Sequence, residues 1–459
     1  MTKFVRFFLP SSLKKNFRVS VRVFLLLCAA ALPANGAESV ADLERFPQEA
    51  SSYLPSKPDE PIIDFADQGL HAGEYVRNHY APWQNEDLSY MDVSLDKVIE
   101  FHKAMAKKQY YTADAKAYPK ASMNKVIANG KLDPKAELRP GIALAEADMR
   151  VLPVAAPLYT SQASALGRRG LLKLDAMQNS TMKPGEPLAI LGASKDSSWL
   201  FVATGSVVGW VPSNKVTKVG AEFMNKYLSS SHSVVVKDNA RVLDSNGKRL
   251  CTLRLGTLLP VFEDGLAIPT KGKDGMAAIM KLKPEQGVSA PFPMPFTPRN
   301  AVSVIDELMG EPYGWGGSGG YRDCSAMTRD YFAVFGTWLP RNSADQARTG
   351  VSIPLKEVPV GERPRAIKEN AIPFATLIHM PGHIMLYLGF YGAEPVVFHN
   401  AWGVRVNSGN GQAGRAVIGK AAVTSLKAGA EIKNRPASSL FIDKIAMLVF
   451  PADTAPGGR

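Results

Sequence analysis

The sequence predicts a multidomain α+β protein with a helical N-terminal region, two small β-barrels and a C-terminal α+β domain. Residues 38–138 are rich in polar and helix-forming residues, whereas residues 139–295 contain short alternating apolar runs separated by turns. After a proline-rich linker, residues 296–459 return to helical spacing and then to strands. A chain of 459 residues is long enough for two to four domains.

The first residues have the pattern of an export signal, which we assign to residues 1–37. Residues 1–22 contain six lysines and arginines and no acidic residue. An apolar stretch follows at 23–32, and small residues follow at 34–37. This order is typical of a secretory signal, and the apolar part is too short to span a membrane. We expect cleavage near Gly36 or Ala37, and therefore a periplasmic or secreted protein.

The charge of the chain favours some partners over others. The formal net charge is +12, and the six positive charges of the leader leave +6 for the rest. A mildly basic surface suits a protein that works near anionic wall polymers, although an ordinary solubility charge explains it equally well. The sequence contains no long lysine/arginine run with interleaved aromatics and no second apolar segment of membrane-spanning length. We therefore expect a protein that binds no nucleic acid and does not span a membrane. We also expect a monomer.

In the N-terminal region, residues 38–138, one helix has a clear start. Ser94 can cap a helix whose apolar face is formed by Val98, Ile99, Phe101 and Met105.

Residues 139–220 and 221–295 are predicted to form the two β-barrels. The runs PLAILG, WLFVAT and VVGWVP in the first block are short, closely spaced strands, which is typical of a small barrel. In the second block, Asn246-Gly247 and Asp274-Gly275 are strong hairpin signals.

The C-terminal domain, residues 296–459, is predicted to open with a helix. Thr297 is a good cap and Pro298 suits the first helical position, so the helix should run to Met309 and end at Gly310.

A second helix is expected from Asp323 to Gly336, which places Cys324 in its first turn. Removal of the leader also removes Cys28, so that only Cys251 and Cys324 remain. These two cysteines either form a disulfide or at least one thiol is free for a reason. Cys251 lies in a strand-like run, where a buried, inert cysteine is the expected case. A helix N-terminus lowers the pKa of a cysteine and offers N–H groups to an oxyanion. Cys324 is therefore a candidate nucleophile.

Cys28 also allows a lipoprotein anchor. The bulky Leu27 before it disfavours this alternative, because lipidation sites prefer a small residue there.

Three histidines follow Cys324, and two of them are predicted to be neighbours. Residues 376–403 have the pattern of a strand, a Pro-Gly turn, a strand, a turn and a third strand, which brings His383 and His399 onto paired strands. His383 is then the candidate base and His399 its orienting partner. A zinc site formed with His379 is an alternative, disfavoured because the turn puts His379 on another strand segment. We expect no metal and no cofactor.

Four motifs in the C-terminal domain resemble the NlpC/p60 cysteine peptidases of bacterial cell-wall metabolism. They are D-C-S at 323–325, L-P-R-N-S at 339–343, G-H-I-M-L-Y-L-G at 382–389 and F-H-N-A-W-G at 398–403. The resemblance implies a papain-like α+β fold in which Cys324 is the nucleophile, His383 the base and His399 the third polar residue.

Upstream motifs resemble one subgroup of that family, with a helical N-terminal stabilising region and two bacterial SH3-like barrels. They are H-Y-A-P-W at 79–83, A-D-M-R-V-L-P at 147–153 and G-W-V-P at 209–212. The subgroup cleaves peptidoglycan stem peptides between γ-D-glutamate and diaminopimelate or lysine, and it prefers a free N-terminal L-alanine. The resemblance implies that Asp323 pairs with that amine, helped by Tyr313, Ser325 and Ser343, and that Trp315 lines the pocket.

The sequence therefore predicts an exported thiol endopeptidase that acts on peptidoglycan stem peptides or murein turnover peptides. One alternative is an amidase or acyltransferase on the same papain-like core, and the motifs at 339–343 and 398–403 favour the peptidase. The other is a wall-binding protein with an inactive peptidase domain, which the intact Cys324, His383 and His399 disfavour.

Overall fold

The computed structural model describes residues 40–91, 93–243, 246–263, 265–407 and 411–452. The predicted signal segment 1–37, its cleavage site and Cys28 lie outside these residues. Within the described ranges, no helix combines the length and the apolar character that a membrane span requires.

Residues 40–138 form the predicted helical region. Its elements are α1 (Asp42–Arg45), α2 (Phe65–Gln84), α3 (Leu95–Ala106), α4 (Lys120–Asn129) and the 3₁₀ turns Ala50–Tyr53 and Ser89–Met91. The hydroxyl of Ser94 caps α3, as predicted, by accepting from the N–H of Lys97. The prediction for Phe101 is wrong, because its side chain is 52% exposed. The buried face of α3 follows the spacing of Val98, His102 and Met105, which places the histidine inward instead.

The first β-domain is built from short antiparallel strands, as the sequence predicts. They are β1 (Arg139–Ala143), β2 (Ala147–Arg150), β3 (Gln178–Met182), β4 (Pro187–Ala193), β5 (Trp199–Ala203), β6 (Val208–Pro212) and β7 (Val216–Lys218), with α5 (Gln162–Ala165) and the 3₁₀ turns Arg168–Gly170 and Ser213–Lys215. The strand order is β3-β2-β6-β5-β4-β1-β7. Met149, Leu188, Val202 and Val211 pack inside it, because alternate residues of each strand face the same side.

The second β-domain follows with α6 (Ala221–Ser229), β8 (His232–Val235), β9 (Ala240–Leu243), β10 (Arg249–Leu253), β11 (Leu258–Phe262), β12 (Gly265–Lys271), β13 (Ala277–Leu282) and β14 (Ser289–Pro291). Its sheets have the orders β13-β12-β11-β8-β14 and β10-β9. Cys251 on β10 is buried in the apolar core of this domain, as expected of an inert cysteine. Both Cys251 and Cys324 are free thiols, so the disulfide alternative is excluded.

The C-terminal domain packs helices against an antiparallel sheet. Its elements are α7 (Pro298–Leu308), α8 (Cys324–Val334), α9 (Ser343–Gln346), β15 (Val351–Pro354), α10 (Arg363–Asn370), β16 (Leu377–Met380), β17 (His383–Tyr391), β18 (Glu394–Asn407), β19 (Ala413–Ser425), α11 (Phe441–Lys444), β20 (Met447–Phe450) and the 3₁₀ turn Trp315–Gly320. The sheet order is β15-β20-β16-β17-β18-β19. Phe332 of α8 shares a core with Leu386 and Phe398 of the central strands.

Both predicted helix starts in this domain are confirmed. Thr297 caps α7 by accepting from the N–H of Asn300, and α7 ends at Leu308, one residue before the predicted Met309. Gly310 then turns the chain at φ +77°, a conformation that glycine adopts without strain.

A buried network of charges joins both β-domains to the C-terminal domain. Lys183, directly after β3, lies 2.7 Å from one oxygen of Asp330 on α8, and Arg322 lies 2.7 Å from the other. Arg322 also lies 2.9 Å from Asp238 of the second β-domain. Burial alone would raise the pKa of Asp330, yet Lys183 and Arg322 hold it well below its usual range. Removal of one member would therefore leave opposite charges buried and unpaired.

We predict that Asp330→Asn destabilises the protein by about 3–5 kcal/mol, because Lys183 and Arg322 lose their shared buried partner. Urea unfolding at neutral pH measures this change. Asp59→Asn is the matched control, since Asp59 pairs with Arg299 where both side chains are more than half exposed, and it should hardly move the midpoint. Equal midpoints for the two variants would contradict this account of the network.

Candidate active site

The nucleophile candidate occupies the predicted place at a helix start. Cys324 is the first residue of α8, and the buried carboxylate of Asp323 caps the helix by accepting from the N–H of Ala326 at 2.9 Å. The same oxygen accepts from the hydroxyl of Ser325 at 3.2 Å. The other oxygen accepts from the N–H of Gly316 at 3.0 Å, so that Asp323 also holds the glycine-rich loop.

Arg341 neutralises the Asp323 carboxylate, a role that the sequence analysis did not assign. Its Nη2 lies 2.7 Å from Oδ2 and its Nη1 lies 3.1 Å from Oδ1, which is a two-pronged pairing. Nη1 also donates to Ser325 at 2.9 Å, and Nε donates to Ser180 of β3 at 2.9 Å. Burial alone would raise the pKa of Asp323, but Arg341 keeps it below its usual value. The available signal was the position of Arg341 inside the motif at 339–343.

This arrangement constrains the expected contact between Asp323 and a substrate amine. The carboxylate of Asp323 already accepts five hydrogen bonds. An ionised carboxylate offers about four lone-pair positions, so an ammonium group must displace one of the present donors. Amine binding by Asp323 stays a prediction, whereas capping and bracing are its observed roles.

The glycine-rich loop before Cys324 lies against the first β-domain. Gly317 has φ +90°, and a Cβ built on it would lie 2.6 Å from the side chain of Thr181. Gln178 donates to the carbonyl of Gly316 at 3.1 Å. Without side chains, these glycines allow strand β3 to approach the loop closely. Strand β3, with Gln178, Ser180 and Thr181, therefore closes one side of the site, which the sequence did not reveal.

The two histidines expected to be neighbours are hydrogen-bonded. His383 Nε2 and His399 Nδ1 lie 2.7 Å apart across β17 and β18. The register is diagonal rather than directly opposed, since Leu386 faces Phe398 in the pairing of these strands. Phe441 stacks on the ring of His383, with 5.7 Å between centroids, and meets the ring of His399 edge-on.

Thr424 determines the direction of this hydrogen-bond chain. Its hydroxyl donates to the carbonyl of Ser425 at 3.0 Å and lies 3.0 Å from Nε2 of His399. Because the hydroxyl proton is used in that bond, Nε2 of His399 is the donor and Nδ1 the acceptor. His399 Nδ1 then accepts from Nε2 of His383, which leaves Nδ1 of His383 unprotonated and able to act as a base. Thr424 lies on β19, far from any motif in sequence.

The thiol of Cys324 lies at the start of strand β17. The N–H of Ile384, the residue after His383, forms a hydrogen bond with the sulfur of Cys324. Burial and then the charge of Asp323 raise the pKa of the thiol to about 12, and burial lowers the pKa of His383 to about 4. We expected the helix start to lower the thiol pKa, and the N–H groups of Ser325 and Ile384 do act in that direction. Desolvation outweighs them, so the resting pair is a neutral thiol and a neutral imidazole.

The other predicted binding residues divide into two groups. Tyr313 and Trp315 line a cleft of about 710 Å³ together with His383. Burial, followed by the charges of Cys324 and Asp323, raises the pKa of Tyr313. Ser343 begins α9 and is half-buried, and its hydroxyl has no hydrogen-bond partner among the residues that the structure describes.

His379 does not join the histidine pair. It opposes Ile384 across β16 and β17, on the other side of the sheet from His383. Neither of its ring nitrogens has a hydrogen-bond partner in the described part of the chain. In those same ranges, no group of three or more histidine, cysteine or acidic side chains is placed to hold a metal ion.

Three segments of the chain match known protein families. Residues 17–134 match the N-terminal stabilising domain of NlpC/P60 proteins, residues 172–212 match an SH3 domain of the SH3b1 type, and residues 310–416 match the NlpC/P60 family itself. Residues 310–416 form an NlpC/P60 domain. Cys324, His383 and His399 all lie within the matched NlpC/P60 segment.

Two relatives show how far the similarity extends. An NlpC/P60 endopeptidase from Photobacterium damselae subsp. piscicida has the same fold, with a TM-score of 0.79 and 23% identity over 89% of this chain and 98% of that one. The gamma-D-glutamyl-L-lysine dipeptidyl-peptidase of Bacillus subtilis (strain 168) is 26% identical over 187 residues, which is 38% of this chain. The chain spans 59% of the length of that curated relative.

We predict that alkylation of Cys324 by iodoacetamide keeps accelerating by about tenfold per pH unit from pH 7 to pH 10, because only the thiolate reacts and the raised pKa keeps the thiolate scarce throughout this range. Peptide mass spectrometry after timed labelling separates Cys324 from the other cysteines. A rate that levels off below pH 8 would show a resting thiolate–imidazolium pair and contradict the neutral pair described above.

Proposed function

We propose that this protein is an exported cysteine endopeptidase that hydrolyses peptidoglycan stem peptides between γ-D-glutamate and the third residue, with a free N-terminal L-alanine. The observation that carries the proposal is the hydrogen-bonded pair of His383 and His399 at the start of β17, where the N–H of the next residue, Ile384, bonds to the sulfur of Cys324 at a helix start. This arrangement supplies a nucleophile, a base and a group that orients the base. The NlpC/P60 match over the same residues supports the proposal.

Each step of the proposed reaction uses a group in the observed arrangement. Cys324 attacks the γ-carbonyl of D-glutamate while its proton passes to Nδ1 of His383, and N–H groups in the first turn of α8 stabilise the oxyanion. His383 returns the proton to the leaving amine, which gives a thioester with Cys324. Water, activated by His383, then hydrolyses the thioester and releases the thiol and the new carboxylic acid. His399 and Thr424 hold the ring of His383 in the required tautomer.

The acyl side of the site favours a short peptide end over the interior of a long chain. Strand β3 lies against the glycine-rich loop and receives a hydrogen bond from Arg341 at Ser180. A longer substrate backbone on the acyl side would run toward this strand. A dipeptide such as L-alanyl-γ-D-glutamate fits such a closed end, and its free amine would lie near the Asp323–Arg341 pair.

The proposal that the protein is exported rests on residues 1–37 alone. Their order of basic, apolar and small residues supports transfer out of the cytoplasm, where peptidoglycan or its fragments are accessible.

We predict that the purified protein releases L-alanyl-γ-D-glutamate from L-alanyl-γ-D-glutamyl-diaminopimelate, detected by mass spectrometry, and leaves the N-acetylated peptide uncut. Cys324→Ala should abolish cleavage while the protein remains folded. The proposal would be refuted if the wild-type protein were inactive on the peptide with a free N-terminus, or if the Cys324→Ala variant were active.

The histidine variants provide the controls within the same assay. His383→Ala should cost as much as Cys324→Ala, because residues that act as a unit lose activity together. His399→Asn should keep a measurable fraction, since an amide oxygen can still accept from His383. His379→Ala should be nearly silent because the side chain lies on the other side of the sheet. Equal damage from His379→Ala and His383→Ala would refute this division of roles.

A further inference from the structure

Three cationic side chains line the same cleft as His383. They are Arg405 on β18, Arg415 on β19 and Lys444 at the end of α11. Arg405 and Arg415 are directly opposite in the pairing of their strands. Residues opposed in this way have Cβ atoms about 5 Å apart, and like charges at such positions destabilise a sheet.

Among the residues that the structure describes, no acidic side chain forms an ion pair with this cluster, and the charge of Asp443 acts on Lys444 without contacting it as a salt bridge. Within the described residues, neither Arg405 nor Arg415 has an ion-pair or hydrogen-bond partner for its guanidinium. Lys444 has only the carbonyl of Ser439, at 3.4 Å. The nearby carboxylate of Asp443 accepts from the N–H of Leu440 at 3.0 Å, as part of the cap of α11. Three positive charges in one cleft, without an ion pair in the described part of the chain, form a site to which an anion would bind favourably.

The cations also interact with one another. Burial and then Arg405 lower the pKa of Arg415, and burial followed by both arginines lowers the pKa of Lys444. A bound carboxylate would relieve this repulsion, and guanidinium groups suit it because their planar N–H groups bind two oxygens at once.

The position of the cluster indicates which part of a substrate it would meet. The cleft is bounded by the first β-domain, where Trp402 donates to the carbonyl of Gly170 at 2.7 Å. Phe441, which stacks on His383, lines the cleft beside Lys444, whereas Asp323 and Ser325 do not line it. Tyr313 and Trp315, two residues predicted for the amine site, line the same cleft. The cleft therefore runs from them past His383 to Phe441 and Lys444, and we place the cations beyond His383 on the Phe441 side. Since His383 protonates the leaving amine, this is the side of the leaving residue.

We infer that Arg405, Arg415 and Lys444 form an anion subsite for the third residue of the stem peptide, and that the protein prefers diaminopimelate to lysine there. The inference rests on the proposed function. The side chain of diaminopimelate ends in a carboxylate as well as an ammonium group, so it can place an anion among the three cations. The side chain of lysine ends in an ammonium group alone, which the same cations repel.

The test compares kcat/KM on L-alanyl-γ-D-glutamyl-meso-diaminopimelate and on the same peptide with L-lysine as third residue. Wild type should prefer the diaminopimelate peptide by about tenfold or more, the ratio that 1.4 kcal/mol produces. Arg405→Gln and Arg415→Gln should each reduce the preference to a few-fold. Lys433→Gln is the matched control, because Lys433 is an exposed lysine of the same domain outside the cleft. The preference should also fall as salt is added, since Arg405 is exposed to solvent.

A binding measurement separates this inference from the proposed function. Calorimetry with the inactive Cys324→Ala protein should show the same tenfold difference in Kd between the two peptides, and Arg415→Gln in that background should remove it. Equal rates or equal affinities for the two peptides, or an unchanged preference in both arginine variants, would overturn the subsite and leave the peptidase proposal intact. Absence of cleavage of either peptide would overturn the proposed function, and the binding ratio would still decide the subsite.

Discussion

The buried ion pair between Asp323 and Arg341 is the interaction on which the rest of the site depends. Asp323 fixes the start of α8, and with it the position of Cys324, while the N–H of Gly316 ties the glycine-rich loop to the same carboxylate. Arg341 extends the connection to Ser180 of the first β-domain. Because Asp323 is only 6% exposed, loss of its partner would leave a charge without solvent. One pair therefore positions the nucleophile and the wall of the pocket together.

The site divides chemically around His383. Toward Asp323 it is closed by strand β3 and already satisfied in hydrogen bonds, which suits recognition of a short peptide end by shape. Toward Phe441 it opens into a cleft lined by positive charges that form no ion pair with any described residue, which suits recognition of an anion. Between the two sides, burial keeps the thiol and the imidazole neutral, so the charge separation of catalysis is created only when a substrate is attacked.

The features that the sequence predicts well depend on neighbours in the chain. The helix starts at Thr297 and Asp323 and the strand–turn–strand pattern around His383 follow from residue types within a few positions, and the structure confirms them. The pairing of Asp323 with Arg341 and the donation of His399 to Thr424 connect residues brought together only by the fold. The direction of the Cys324 pKa was wrong for a related reason, since the helix start is a local signal and burial is a property of the whole domain. The outward position of Phe101 shows the same limit, because a histidine took the inward face of α3.

A double-mutant cycle on Asp323 and Arg341 tests the central claim most directly, with kcat/KM on the diaminopimelate tripeptide as the measured quantity. If the pair acts as one positioning unit, Asp323→Asn and Arg341→Gln each leave a buried group unpaired, and the double variant is no worse than the more damaging single one. Losses that simply add, in free-energy terms, would show that the two residues act independently and would contradict the account.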